Sequence, residues 1–196
     1  MDPLNSGRGP QPTINELPLL LQTPKVYPGC CLTLSVPLLV YLKTILPSAS
    51  ELVLSIGSGY GLLEALLLQS DRGINVVGVE VLPSSNRYLP PSHHLTVTGS
   101  RVLEPLAAKA SAWIFVYPKR IGLLHEYIQA YGADNVKQII WIGPRADWED
   151  YRGCFQESND ALSWNVKTLT ADEVGGTPWE VIAIAQKEKA PLNHTG

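Results

Sequence analysis

Residues 53–68 read VLSIGSGYGLLEALLL: an apolar run, then Gly57, Gly59 and Gly61 at alternate places, then a second apolar run. The first run predicts a buried strand and the second a helix. Glycines between them let the backbone turn sharply and bring main-chain N–H groups close to a nucleotide-like ligand. Twenty-three residues after Gly57, the apolar run at 74–79 ends in Glu80. An acid there can accept hydrogen bonds from two ribose hydroxyls. Turn and acid together locate a cofactor cleft.

Working outward, further strands are expected at 51–56, 95–98, 112–117 and 136–142. The runs are continuous rather than alternating, as in strands buried on both faces, which predicts helices on both sides of a parallel sheet. Ser35 can cap a helix that ends before Pro47. Residues 60–69 place Leu63, Leu66 and Leu67 on one helical face, and 121–131 do the same with Ile121, Leu124, Ile128 and Tyr131 before Gly132. A short helix is expected at 103–109, and 147–162 reads as polar and partly helical. Segments 165–169 and 179–185 are too close for a parallel crossover, so they form an antiparallel pair. The expected fold is α/β: a doubly wound, mostly parallel seven-stranded sheet with a C-terminal antiparallel β-hairpin. Residues 1–28 form a flexible N-terminal segment whose apolar patch at 17–21 docks on the body. Residues 29–187 form the Rossmann-like domain, and 188–196 a flexible tail.

With 196 residues, 45% hydrophobic and 17% charged, the chain has an ordinary globular composition. A net charge of −3 argues against a broad nucleic-acid surface. Cys30, Cys31 and Cys154 have no metal-ligand spacing, and their odd number fits thiols in a reducing compartment. The usual burial of such thiols favours two small packed side chains at Cys30 and Cys31 over a redox pair. The apolar stretch 30–46 contains Pro37 and Lys43 and is too short for a membrane span. The first 28 residues lack a secretory leader, so cytoplasmic residence is expected. The sequon at Asn193 is read as chance. His93 and His94, placed in a loop, and His125, in a helix, have no nearby ligand cluster, so no metal site is expected.

A nicotinamide-binding turn spaces its glycines Gly-x-Gly-x-x-Gly. Here the third comes one place early, at Gly61, with Leu62 next. With Glu80 and the terminal hairpin, this spacing resembles the class I S-adenosylmethionine-dependent methyltransferases over roughly residues 38–187. The resemblance implies S-adenosylmethionine as cofactor. Gly57, Ser58, Gly59, Tyr60 and Gly61 would line its methionine part, and Glu80 would hold the ribose. Val81 and Leu82 would flank the adenine, with Ser100 and Arg101 near its amine. Tyr117 and Pro118 would face the acceptor.

There are three departures from the family pattern. Ser55 stands where an acid commonly approaches the methionine amino group. Ser100 replaces a common Asp, and the fourth strand ends in Tyr117-Pro-Lys119, which matches neither amino-methylating nor metal-dependent types.

Candidate catalytic groups are Tyr117, Lys119 and Asp147, with Arg145 and Trp148 binding acceptor, because ligands sit at strand C-termini in such sheets. The segment 141–148 suits a flat or partly charged acceptor. Alternatively, Arg145 pairs with Asp147 and the tryptophans fill core. The leading expectation is a methyltransferase acting on a small, hydrophobic molecule, without nucleic acid, membrane or metal. The alternative is a methyltransferase-like protein that no longer methylates, and either binds a partner or uses the cleft for other chemistry. A nicotinamide oxidoreductase ranks third, since the glycine spacing and the lack of a Tyr-x-x-x-Lys pair disfavour it.

Overall fold

The computed structural model describes residues 14–69, 73–156 and 162–188. The sequon at Asn193, the start of the N-terminal segment and nearly all of the tail lie outside them. Strands β1 (Leu52–Ile56), β2 (Asn75–Val81), β3 (His94–Val97), β4 (Ala112–Val116), β5 (Gln138–Pro144), β6 (Trp164–Thr170) and β7 (Glu180–Lys187) form one sheet in the order β3-β2-β1-β4-β5-β7-β6. The first five are parallel; β7 runs antiparallel between β5 and β6.

Helices α1 (Val36–Ile45), α2 (Leu62–Leu68), α3 (Ile121–Tyr131) and α4 (Trp148–Arg152) cover the sheet. Helix α1 starts where predicted because the Ser35 hydroxyl accepts from Leu38 N–H at 3.1 Å, and it stops before Pro47.

The two cores follow from strand alternation. In β4, Trp113 and Phe115 point into one cluster with Leu124, Tyr127 and Trp141, while Ala112 and Ile114 point into another with Leu38, Leu63 and Leu67. Successive side chains leave a strand on opposite faces, so apolar residues at every place mean burial on both sides. Burying a large apolar side chain is worth ~1.5–3 kcal/mol.

Several local expectations are corrected. His94 opens β3 rather than lying in the preceding loop, because the strand pairs from Gly78↔His94 onward. Residues 103–109 yield only a 3-10 turn at Pro105–Ala108, which the Glu104 carboxylate caps through Leu106 N–H. Trp179 lies outside β7 and is 60% exposed, because Glu180 N–H closes a turn onto Thr177 C=O before the strand begins. Ile121, expected on the buried face of α3, is exposed, and Tyr127 fills that face instead. Cys31 is exposed, whereas Cys30 is half-buried.

The N-terminal patch docks as expected. Leu17 and Leu20 pack on the α2-side core, and residues 25 and 34 form a short antiparallel bridge. Among the described residues no helix is long and apolar enough to cross a membrane, and no cluster of His, Cys, Asp and Glu could hold a metal ion.

Candidate functional site

The glycine turn joins β1 to α2 at the C-terminal edge of the sheet. Gly57, Gly59 and Gly61 adopt φ of 81°, 58° and 76°, a left-handed region that other side chains enter only with strain. A Cβ on Gly57 would meet nothing within 4 Å, so open space faces the turn there. Gly57 and Ser58 N–H both donate to Val79 C=O, at 2.9 and 3.0 Å, tying the turn to β2. Glu80 stands beside it. Its Oε2 accepts from Gly59 N–H at 2.6 Å and its Oε1 from Val81 N–H at 2.9 Å. The spacing read from the sequence thus brings Gly59, Glu80 and Val81 into direct contact.

Tyr60 does not point away from the fold. The Arg87 guanidinium lies over its ring at 4.4 Å, and Gly29 lies so close on another side that a Cβ would fall 1.9 Å from Tyr60 Cδ2. The docked N-terminal segment therefore passes directly against the glycine turn. Leu89, 2% exposed, packs where a Cβ on Gly61 or Gly78 would be, so the chain after β2 folds back onto the start of α2. Leu82, Ser100 and Arg101 are exposed, and Ser100 C=O accepts from Arg120 Nη2 at 2.7 Å.

Ser55 is buried on β1, and its hydroxyl donates to Glu64 Oε1 at 2.5 Å. Glu64 lies in the first turn of α2, 3% exposed, and its Oε2 has no hydrogen-bond partner. Burial pushes its pKa up to about 7, against the Ser55 hydrogen bond, and the nearby Glu80 charge adds to the rise. The half-buried Cys30 thiol is pushed up to about 12, first by burial and next by the Glu64 charge. Ser55 and Glu64 are thus in direct contact, and Cys30 of the docked segment is near enough to feel the Glu64 charge.

A second polar group lies at the ends of β4 and β7. Tyr117 has φ of 48°, and its hydroxyl donates to Glu180 Oε1 at 2.8 Å. The fully buried Glu180 also accepts from Thr33 N–H at 3.0 Å and from the Thr177 hydroxyl at 2.5 Å. Burial first, and then the bond to Glu180, raise the Tyr117 pKa well above its ordinary value, so the phenol keeps its proton.

The remaining candidates are spread along the same edge. Lys119, Arg145 and Asp147 are exposed, and no ion pair joins Arg145 to Asp147 among the described residues. Of the two tryptophans, Trp141 is fully buried core, whereas the half-buried Trp148 packs on it with centroids 5.2 Å apart. Pro118 C=O accepts from the Tyr151 hydroxyl at 2.5 Å, which ties α4 to the end of β4. A cleft of about 310 Å³ lies beside α4, lined by Trp148, Arg152, Phe155 and Trp164 among others. No residue of the glycine turn lines it.

Sequence reading missed Glu64, Glu180 and Tyr151. Glu64 was detectable as the single charge in an otherwise apolar helix. Glu180, an acid opening an apolar strand, gave a weaker signal.

No family model matches the chain, and no curated protein matches it. Solved structures do. The methyltransferase domain of bacterial CtHen1-C is similar with a TM-score of 0.55 and 15% identity, over 76% of this chain and 93% of that one. The tRNA (m1A58) methyltransferase TrmI from Aquifex aeolicus gives 0.52 and 13%, over 87% and 72%. TYW2 from P. horikoshii, solved with MeSAdo, gives 0.51 and 17%, over 86% and 72%. Identities this low speak to fold, and the strand order and glycine turn agree with them. The chain has a Rossmann-like fold of the S-adenosylmethionine-dependent methyltransferase type.

Proposed function

We propose that this protein is an S-adenosylmethionine-dependent methyltransferase acting on a small, hydrophobic molecule in the cytoplasm. The observation that carries the reading is the joint placement of Glu80 and Gly59 at a turn that faces open space at Gly57. A half-buried carboxylate there offers acceptors for two ribose hydroxyls, and left-handed glycines let a ligand approach the backbone. Gly57, Ser58, Gly59, Tyr60 and Gly61 would hold the methionine part, and Val81, Leu82, Ser100 and Arg101 the adenine. When bound, the cofactor supplies an electrophilic methyl group on a sulfonium.

The chain's own task is to position the acceptor and accept its proton. Tyr117, held protonated by Glu180, orients the acceptor as a hydrogen-bonding group rather than as a base. Lys119 and Asp147, exposed just beyond β4 and β5, are the groups that handle the proton. Pro118, Arg145 and Trp148 complete the acceptor surface, with Trp148 half-buried against Trp141 as its apolar part. The thiols Cys30 and Cys31 support a reducing compartment.

One observation favours a second reading, in which the fold no longer transfers methyl groups. The phenol at the substrate-facing place is committed to a buried carboxylate.

Calorimetric titration with S-adenosylmethionine and S-adenosylhomocysteine, with NADH as control, tests the proposal. Micromolar binding of S-adenosylmethionine and S-adenosylhomocysteine, without NADH, supports it and opens an acceptor screen. Binding of NADH alone, or of none of the three, rejects it. Cofactor binding without turnover on any acceptor supports the second reading.

A further inference from the structure

Helix α2 reads LLEALLL, and six of its seven residues are buried. A carboxylate among them is costly unless something pairs with it. Glu64 is only half satisfied: Ser55 Oγ donates to Oε1, and Oε2 is buried without a partner. The groups facing it are the Ser55 hydroxyl on β1, its own backbone N–H, the Cys30 thiol on the docked segment and the Glu80 carboxylate on β2. None of them is a cation. From the first turn of α2 the carboxylate therefore reaches Ser55, which lies on β1 two residues before Gly57, and one of its acceptors faces no donor.

The ligand proposed above carries what this acceptor lacks. The amino-acid portion of S-adenosylmethionine ends in an α-ammonium group, a compact cation with three donors. We propose that Glu64, oriented by Ser55, binds that ammonium group through Oε2 and is a cofactor-binding residue. Ser55 has no charge to offer; Glu64 on the facing helix supplies it, and the Ser55 hydroxyl orients the carboxylate through Oε1. The inference rests on the methyltransferase reading.

The test compares wild type with Glu64→Gln by calorimetry, using S-adenosylhomocysteine and 5′-methylthioadenosine. The second ligand keeps the adenosine and the thioether sulfur but has no amino acid. A charge-assisted hydrogen bond predicts that Glu64→Gln weakens S-adenosylhomocysteine by about ten- to a hundredfold and leaves 5′-methylthioadenosine unchanged. Equal affinities of the two proteins for S-adenosylhomocysteine overturn the inference. So does an equal loss for both ligands, which would make Glu64 a support of the turn.

Wild type alone supplies a second measurement, free of any folding defect in the variant. Only ionised Glu64 binds the ammonium, so S-adenosylhomocysteine affinity should rise about tenfold from pH 6 to pH 8, with 5′-methylthioadenosine flat. Burial lowers the pKa of His94, which moves its titration down and away from that of Glu64. A flat profile for both ligands overturns the inference. Wild type binding neither ligand rejects the methyltransferase reading itself. Binding of 5′-methylthioadenosine alone rejects only the role of Glu64.

Discussion

The Tyr117 hydroxyl donates to Glu180 across 63 residues of sequence, and the same carboxylate holds the backbone of Thr33 on the docked segment. Glu180 thus joins the end of β4, the start of β7 and the segment that passes the glycine turn. Removing it leaves three buried or half-buried donors unpaired. Glu180→Ala should destabilise the protein by about 3 kcal/mol or more, and Tyr117→Phe by about 1 kcal/mol. Urea denaturation of both variants measures this, and a Glu180→Ala loss below that of Tyr117→Phe would contradict the shared-acceptor account.

Tyr117 also yields a kinetic expectation. With its proton held by Glu180, it cannot serve as the base, and Tyr117→Phe should keep methyl transfer within about tenfold of wild type. A loss of a thousandfold or more in kcat, with cofactor affinity intact, would restore Tyr117 as the base.

Glu64 gives stability a pH dependence. Its folded pKa of about 7 exceeds the ordinary 4.5, so the folded state keeps the proton longer than the unfolded chain. Its contribution is therefore most favourable below pH 4.5, falls as pH rises to about 7, and is flat above. Across that window the loss is about 3 kcal/mol. Glu64→Gln removes the slope, so at pH 8 the variant should melt at a higher temperature than wild type. Thermal melts of both proteins at pH 5 and pH 8 check the sign.

Gly29 and Tyr60 test the seating of the N-terminal segment. Gly29→Ala puts a Cβ inside the Tyr60 ring at φ of 80°, which costs roughly 2 kcal/mol or displaces the segment. Limited proteolysis should then cut residues 14–34 faster than in wild type. Equal cutting rates would mean that this contact does not hold the segment.

Gly59 lies at the centre of the proposed cofactor cradle, with Gly29 C=O 3.8 Å from the place of its missing Cβ. Gly59→Arg should abolish S-adenosylhomocysteine binding while the far-ultraviolet circular dichroism keeps its α/β shape. Retained affinity would remove the cofactor from this turn.

Much of this architecture could be read locally. The five parallel strands and the glycine turn announce themselves through short-range periodicity, and Glu80 through its distance from Gly57. Both survive in the fold because neighbouring strands impose the same spacing. Side-chain pairings between elements were not legible. Ser55 with Glu64, and Glu180 with Thr33 and Tyr117, depend on side chains that only the tertiary fold brings together. Trp141 and Trp148 looked alike in sequence, yet one is core and the other half-buried, because only the first lies inside a strand. The exposure of Cys31 beside half-buried Cys30 followed from the path of the docked segment, which no periodicity encodes.

The position of β7 has a consequence for how the protein is made. Strand β7 is interior to the sheet, between β5 and β6, and its first residue anchors Thr33, 147 residues earlier. A nascent chain still lacking residues after 179 leaves the edge of β5 uncovered and the cover over the glycine turn unfastened. Completion of the cleft therefore waits until β7 has been made, and a polypeptide ended before β7 presents a sticky β-edge for quality control to recognise.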